Sequence, residues 1–287
     1  MVETHCAAPR VQRTKVLRHT RIATSTYKIT LAAPEIASEM VPGQFAMLRL
    51  ADRHDAILGR AFAMWDRVDA GGGEPAAVEF VYVAKGRMTR GLADVAAGGV
   101  VDLWGPLGNG FSTEQTDHLI LVAGGVGQTP MLTLTAEALG RRRFGSPPRP
   151  SGYASRVTIC YGARTAAFLA GVPEFEASGA DLKITTDDGS AGNRGRVTDS
   201  LEEVLASRGG ESARICCCGP EPMMEAVAAI AARQGVPCQV SLETPMACGI
   251  GICFTCVAKL RQVDGGWDYR RTCVEGPVFD AAEIVWE

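Results

Sequence analysis

The chain is 287 residues long, 46% hydrophobic and 21% charged, with a formal net charge of −3. That length accommodates about two ordinary domains and a small module, and no basic stripe or tail points to nucleic acid. No apolar run is long enough to span a bilayer and the opening Met1–Arg10 stretch lacks an export-signal core, so the expected compartment is the cytosol, where ten cysteines argue for thiolates and a metal site rather than a disulfide framework.

From about residue 12 to 104 the pattern is one of short strands. Thr26–Leu31, Gln44–Leu50, Arg60–Trp65 and Ala77–Ala84 are apolar or alternating runs, with Pro42-Gly43 and Gly71-Gly72-Gly73 as turn signals between them. This spacing predicts a small antiparallel barrel, with one helix over Met88–Ala97 and a closing strand over Val100–Trp104. Arg60, in Leu58-Gly-Arg-Ala-Phe-Ala-Met64, suits a pyrophosphate as a fixed guanidinium or simply faces water. Lys85-Gly86-Arg87, ahead of the helix, is another candidate phosphate end. Gly105-Pro-Leu-Gly-Asn-Gly-Phe111 breaks the pattern and marks a domain boundary.

Beyond it, His118–Ala123 is a continuous apolar run of the kind a buried parallel strand shows. It ends in Gly124-Gly-Val-Gly127, and a helix is predicted over Thr129–Leu139. Arg156–Tyr161, Asp181–Thr186 and Ala213–Cys218 are further strands, with helices at Asp199–Ser207 and Pro222–Arg233. Strand–helix alternation predicts a doubly wound parallel sheet. Arg141–Ser155, basic and rich in Pro and Gly, reads as a surface insertion without chemistry.

Three turns at strand ends are candidate ligand sites, because an open α/β sheet binds at the carboxyl ends of its strands. Gly124, Gly125, Val126, Gly127 and Thr129 let backbone approach a pyrophosphate at a helix start, or serve packing alone. Cys218, Gly219 and Pro220 form a second such turn, preceded by Cys216 and Cys217 as small buried hydrophobes. Asp187–Gly195 shapes a pocket or is a solvated loop, and Arg164, Arg194 and Arg196 reach a phosphate or face water.

After a last strand near Cys238–Leu242 comes Met246-Ala-Cys-Gly-Ile-Gly-Ile-Cys-Phe-Thr-Cys256, with Cys273 seventeen positions on. C-x4-C-x2-C followed by a distant cysteine is the spacing of a plant-type [2Fe–2S] loop. Gly249 and Gly251 stand where a side chain would collide with the cluster or forbid positive φ. Structural zinc favours two C-x2-C pairs, and only one is present. Val257–Leu260 and Glu283–Trp286 are predicted as short strands over the cluster.

The order of barrel, glycine-rich nucleotide domain and cysteine module resembles the ferredoxin-reductase-like flavoproteins. Within them it resembles the electron-transfer subunits of NAD-dependent, two-component dihydroorotate dehydrogenases. The resembling residues are Pro42-Gly-Gln-Phe45, Gly105–Phe111, Gly124–Gly127, Cys218-Gly-Pro220, Met246–Cys256 and Cys273-Val-Glu-Gly-Pro-Val-Phe-Asp280. The resemblance implies an FAD-binding barrel over 9–112, an NAD-binding domain over 113–240 and a [2Fe–2S] module over 241–287. It also implies a partner subunit that carries FMN and oxidises dihydroorotate in pyrimidine synthesis, in a heterotetramer, with no nucleic acid or membrane involved. Carried over by position, Arg60, Ala61, Phe62 and Ala63 fall on the family's flavin-contacting R-P-x-S stretch, here without its proline and serine. Val81, Tyr82 and Val83 match the second flavin strand. Gly86 and Arg87 match a phosphate-binding Gly-Thr step whose threonine is replaced, with Thr89 two residues on. Cys248, Cys253, Cys256 and Cys273 match the cluster ligands without departure. An NAD(P)H:ferredoxin-type oxidoreductase subunit has the same layout; one branch has an aspartate where Cys248 stands. A redox-sensing or zinc-binding protein on the same scaffold is the remaining rival.

Overall fold

The computed structural model describes residues 9–51, 53 and 56–286. Six antiparallel strands close the N-terminal barrel: β1 (Arg10–Ala23), β2 (Thr26–Leu31), β3 (Phe45–Leu50), β4 (Arg60–Asp69), β5 (Pro75–Val83) and β6 (Val100–Leu107), in the order β1-β2-β5-β4-β3-β6. Alternating residues of these strands, Ile29, Leu48, Met64, Phe80 and Leu103 among them, meet inside. Strand β1 has no apolar alternation, because Arg, Lys and Gln fill its outward positions and only Thr14 and Val16 are buried. One barrel end is closed by α1 (Pro34–Glu39), which buries Ile36 and Ala37. Helix α1 is not among the predicted elements, and the helix predicted over Met88–Ala97 is shorter than its pattern: α2 spans Arg87–Ala93, and the chain then turns through Gly98 at φ +88°. Strand β6 does not stop at Trp104. A register shift carries its pairing with β3 from Met47↔Trp104 to Phe45↔Leu107, so the Gly-Pro step lies within the strand.

The second layer is a seven-stranded sheet. Its strands β7 (Thr116–Gly124), β8 (Ala154–Ala163), β9 (Asp181–Thr186), β10 (Asn193–Arg194), β11 (Ala213–Cys218) and β12 (Cys238–Ser241) pair in parallel. Helices α3 (Met131–Ala138), α4 (Val172–Ala177), α5 (Val197–Ala206) and α6 (Glu221–Gln234) connect them. The order β10-β9-β8-β7-β11-β12 runs one way from β7 and then the other, so the topological switch lies between β7 and β11. A ligand crevice is expected outside the carboxyl ends of those two strands.

In the C-terminal segment, β13 (Val257–Arg261) and β14 (Trp267–Arg271) form a hairpin. The next strand, β15 (Val278–Asp280), leaves the hairpin and joins the large sheet antiparallel to β12. The predicted strand over Glu283–Trp286 is instead a 3-10 turn at Ala281–Glu283 and a single bridge from Ile284 to Leu260. Barrel and sheet share an apolar seam in which Trp65, Val81 and Phe111 pack with Leu119, Leu121 and Tyr161. The 141–155 stretch lies largely on the surface, as expected, but it is anchored: Phe144 is fully buried in the barrel core, because its ring has Val41 and the barrel interior to enter rather than water. Among the described residues no helix is long and apolar enough to cross a membrane.

Candidate functional site

The loop leaving β12 lays its cysteines on the barrel. Cys256 and Cys273 are buried against Phe45, Met47 and Leu107, with Ala61, Trp104, Met246 and Val274 beside them. Cys253 is exposed and Cys248 intermediate. The loop is held by Trp104, whose Nε1 donates to the Cys248 carbonyl at 2.9 Å, and by Thr272, whose N–H donates to the Cys256 carbonyl at 2.8 Å. Gly249 and Gly251 have φ of +75° and +81°, as the spacing predicts. A methyl group on them would meet Met47 Cγ and Val274 Cγ2, each at 2.6 Å. The close approach these glycines permit is therefore to the barrel and to the loop's own partner segment.

Thr255, through its hydroxyl and then its N–H, holds Cys253 down to about 6, and Cys248 adds to that. Burial pushes Cys273 up to about 12, with Cys256 the next contributor and Cys248 a smaller one. Two donors face sulfur: Thr255 Oγ1 lies 3.2 Å from Cys253 Sγ, and the Ile250 N–H 3.4 Å from Cys248 Sγ. Among the described residues no three His, Cys, Asp or Glu side chains converge on a single ion position. The spacing of Cys248, Cys253, Cys256 and Cys273 and the buried seat of Cys256 and Cys273 would let four thiolates hold a [2Fe–2S] cluster. The donor set thus fits that group.

At the predicted switch point lies a cleft of about 580 Å³. It is lined by Gly124, Gly125, Val126 and Gln128 from the first turn, and by Pro220 and Met223 from the second. Asp187, Arg164 and Arg196 add charge to the opposite wall, and Thr26 and Val83 reach it from the barrel. The glycines differ in task. A Cβ on Gly127 would collide with the Cys218 carbonyl, and one on Gly124 would stand 2.5 Å from Met223 Sδ, whereas Gly125 faces open space. Gly127, Cys218, Gly219 and the buried Thr129 hold the two turns together rather than line the cleft. The Asp187–Gly195 loop is ordered by its own bonds. Ser190 donates to Asp188 at 2.6 Å and accepts from the Ala166 N–H at 2.8 Å, and its hydroxyl, then its N–H, hold the Asp188 carboxyl below the usual range. Arg164 lies 4.8 Å over the Phe168 ring, at the cleft's edge. Arg194 does not reach the cleft.

Gln128, which the sequence pattern does not single out, is fully buried with neither amide atom paired. Tyr161 is a second lining residue missed by sequence reasoning. Its only signal was its place at the carboxyl end of a strand, and its hydroxyl is bound by the Ala170 N–H at 3.0 Å.

On the barrel, the half-buried Phe62 packs on Tyr82, with ring centroids 5.4 Å apart, and Tyr82 itself is buried in the barrel core. Tyr27 stacks on Tyr82 at 5.7 Å, and His19 Nε2 meets the Tyr82 hydroxyl at 2.9 Å. Burial first, then Tyr27, pushes the Tyr82 phenol far above its usual range. Ala61 and Ala63 pair with Met47 and Phe45 and Val81 lies in the interdomain seam. Arg60, at the outer end of β4, is exposed and donates to the Gly59 carbonyl at 2.9 Å. At the α2 start, the Thr89 hydroxyl accepts from the N–H groups of Lys85 and Gly86, at 3.1 and 3.0 Å. Thr89 therefore braces the turn instead of standing in for the missing threonine. No side chain fills the space beside Gly86, where a Cβ would meet only Thr89 Oγ1 at 4.0 Å, although its N–H is taken by Thr89. The half-buried Phe62 ring and the exposed Arg60 guanidinium fit a flavin dinucleotide.

Residues 243–285 match the family model of the iron-sulfur cluster binding domain of dihydroorotate dehydrogenase B, and residues 121–229 that of an oxidoreductase NAD-binding domain. The chain is 33% identical over 274 residues to the dihydroorotate dehydrogenase B (NAD(+)) electron transfer subunit of Caldanaerobacter subterraneus, covering 96% of this chain and 98% of that one. It is 34% identical over 274 residues to the subunit of the same description from Desulforamulus reducens, covering 95% and 97%. Among solved structures it is similar to an NADH-dependent reduced ferredoxin-NADP oxidoreductase, with a TM-score of 0.79 and 28% identity over 95% of this chain and 90% of that one. A ferredoxin NADP+ reductase from Neisseria gonorrhoeae shares the fold, with a TM-score of 0.62 and 18% identity over 78% of this chain and 92% of that one.

Proposed function

The chain belongs to the dihydroorotate dehydrogenase B (NAD(+)) electron transfer subunits, and from that premise we propose which of its residues do the work and what stands beside it. It is an oxidoreductase subunit that passes electrons among NAD(H), FAD and a [2Fe–2S] cluster. Bound flavin supplies the exchange between the two-electron chemistry of NAD(H) and the one-electron chemistry of the cluster, and the protein sets distance, orientation and potential.

We assign the flavin to the barrel, 9–112. Arg60 and the Gly86-Arg87 turn hold phosphate, Phe62 walls the ring system with Tyr82 backing it from the barrel core, and Ala61, Ala63, Val81 and Val83 leave room for it. The pyridine nucleotide lies in the 113–240 unit. Gly125 and Val126 face its phosphates, and Gly124, Gly127, Thr129, Cys218, Gly219 and Pro220 hold the two turns in register. In the 241–287 module, Cys248 with Cys253 and Cys256 with Cys273 each hold one iron. Thr255 and the Ile250 N–H stabilise charge on the sulfurs.

The observation that carries the reading is the packing of Cys256 and Cys273 on Met47 and Ala61. It supports a direct passage from the cluster lobe to β4, the strand of Arg60 and Phe62, whose barrel also walls the nucleotide cleft. The partner is a catalytic subunit carrying FMN that oxidises dihydroorotate in pyrimidine synthesis, and the assembly is a heterotetramer in the cytosol. Ile250, Ile252 and Phe254 stand exposed around the loop, Ile252 by 74%. An apolar rim at an electron exit supports docking of such a partner there. The likeness to a ferredoxin-NADP oxidoreductase favours a second reading, in which the acceptor is a ferredoxin-type protein.

Anaerobic purification of the tagged chain from its own cell tests both. We expect flavin and [2Fe–2S] absorption bleached by NADH, and an FMN protein that turns over dihydroorotate in the same fraction. A ferredoxin-linked component in its place overturns the substrate assignment. A preparation with neither iron nor acid-labile sulfide overturns the electron path as well.

A further inference from the structure

The chain needs about 2–6 residues to pass from a helix to the next strand of such a sheet. Between α3 and β8 it uses residues 139–153, and that stretch makes its bonds to the barrel. Arg142 donates to Asp66 and Asp69 at 2.6 Å each, and to the Arg67 carbonyl at 2.6 Å. Arg67 answers with a bond to the Arg143 carbonyl at 3.2 Å. The Arg67 and Arg142 guanidiniums lie 5.2 and 5.7 Å from the Phe144 ring, which is fully buried in the barrel core.

The second anchor is Arg149. Its Nε and Nη2 grip both oxygens of Glu137, at 2.8 and 2.7 Å, while Nη1 and Nη2 also donate to the carbonyls of Phe111 and Pro42, at 3.0 and 3.3 Å. Glu137 lies on α3, is wholly buried, and takes a third bond from the Tyr153 hydroxyl at 3.1 Å. A side chain at Gly110 would stand 2.6 Å from Arg149 Nη1, so the barrel side is shaped to admit this arginine. A buried carboxylate is costly unless it is paired in good geometry; Arg149 and Tyr153 supply that pairing from within the segment, and the remaining Arg149 donors are satisfied by the Phe111 and Pro42 carbonyls on the barrel side.

Helix α3 starts at the glycine-rich turn of the nucleotide cleft, and Asp66 and Asp69 lie on β4, which carries the flavin wall. The strap therefore joins the two surfaces that a hydride must cross. We propose that Arg142 and Arg149 are positioning residues for the hydride step: the strap at 139–153 sets the gap between the nucleotide cleft and the flavin wall, so that transfer needs no closing movement. The inference rests on the FAD and NAD assignments above. The step moves one hydride from NADH to oxidised FAD and leaves NAD+. Reacting atoms must sit about 3–3.5 Å apart, and a displacement of about 1 Å costs on the order of a hundredfold in rate.

The test uses the full chain with its flavin and cluster in place. R149K keeps a cation opposite Glu137 while giving up the fork to the barrel carbonyls, and R142A removes the partly exposed ion pairs. In anaerobic stopped flow at saturating NADH, the R142A/R149K chain should bleach its flavin about tenfold or more slowly. R142A alone should slow about threefold, with R142K recovering at least half of the lost rate. The Kd for ADP-ribose and the FAD content should stay within about twofold of the parent, a loss in kcat without a loss in binding. R143A, in the same strap but without a side-chain bond to the barrel, should leave the rate unchanged. Unchanged bleaching in R142A/R149K, with faster hydrogen exchange in the strap showing that it has come loose, overturns the proposal. So does a rate loss matched by R143A. If the double variant fails to hold FAD, the R142A and R142K pair decides by the same rates. Failure of the unaltered, FAD-loaded chain to respond to NADH overturns the nucleotide reading itself.

Discussion

The cluster loop and the nucleotide turn are both short glycine-rich stretches at the end of a parallel strand, and they use their glycines differently. In the cluster loop both glycines have positive φ, and their missing side chains make room for Met47 and Val274. In the nucleotide turn, Gly124 and Gly127 close against Met223 and the Cys218 carbonyl, and only Gly125 borders empty space. A glycine in a cofactor loop thus marks close approach without saying to what. In three of these five positions the approaching group is a neighbouring side chain and in a fourth it is backbone.

The largest break in this comparison comes from the sulfurs. Cys273→Ser should abolish acid-labile sulfide and the cluster's electron paramagnetic signal, because its thiol lies buried beside Cys256. The Kd for ADP-ribose should stay within about twofold, since the cleft shares no residue with that pair. Next is Gly127→Ala, whose methyl meets backbone that cannot swing away. Overpacking of this kind costs about 3 kcal/mol, seen as a fall in thermal midpoint and weaker NAD binding together. Gly249→Ala should cost about 2 kcal/mol from backbone conformation. Its methyl would also crowd the buried Met47 Cγ at 2.6 Å, so its signature is cluster loss on storage with flavin retained, followed by the ratio of sulfide to FAD. Gly125→Ala, with open space but φ +55°, should lower stability by about 1 kcal/mol and raise the NAD Kd in calorimetry, separating ligand approach from packing. The smallest effect sharpens the cluster side. Thr255→Val removes the hydroxyl 3.2 Å from Cys253 Sγ. Loss of a donor that stabilises negative charge should lower the cluster midpoint potential in a redox titration, with Thr255→Ser near the parent value.

Much of the barrel was legible because β2 to β6 alternate apolar and polar residues along a closed sheet. Strand β1 was not: it packs only Thr14 and Val16 inward and otherwise carries charge, so no apolar period announces it. Phe144 stood alone in a basic, proline-rich stretch, and one apolar residue among arginines carries no period either. Its burial depends on a barrel core assembled from residues between Val16 and Leu103, far earlier in the chain. Glu283–Trp286 has apolar content but meets β13 only through a single bridge at Ile284 and one bond from the Val285 N–H to the Lys259 carbonyl, too little pairing for a strand. In the cleft, Gln128 and Tyr161 are ordinary residues made notable only by what surrounds them.

The sequence by itself determined the cysteine spacing, the glycine-marked turns and the alternation of strand and helix. These rest on covalent spacing and on the conformations single residues allow, and need no distant partner. Only the tertiary structure decided which cysteines are buried, which glycine faces the cleft, where β15 goes, and that a basic insertion is a strap between barrel and sheet. Each of those is a contact between segments far apart in the chain, and its energy comes from burial and charge pairing that exist only once both surfaces are built.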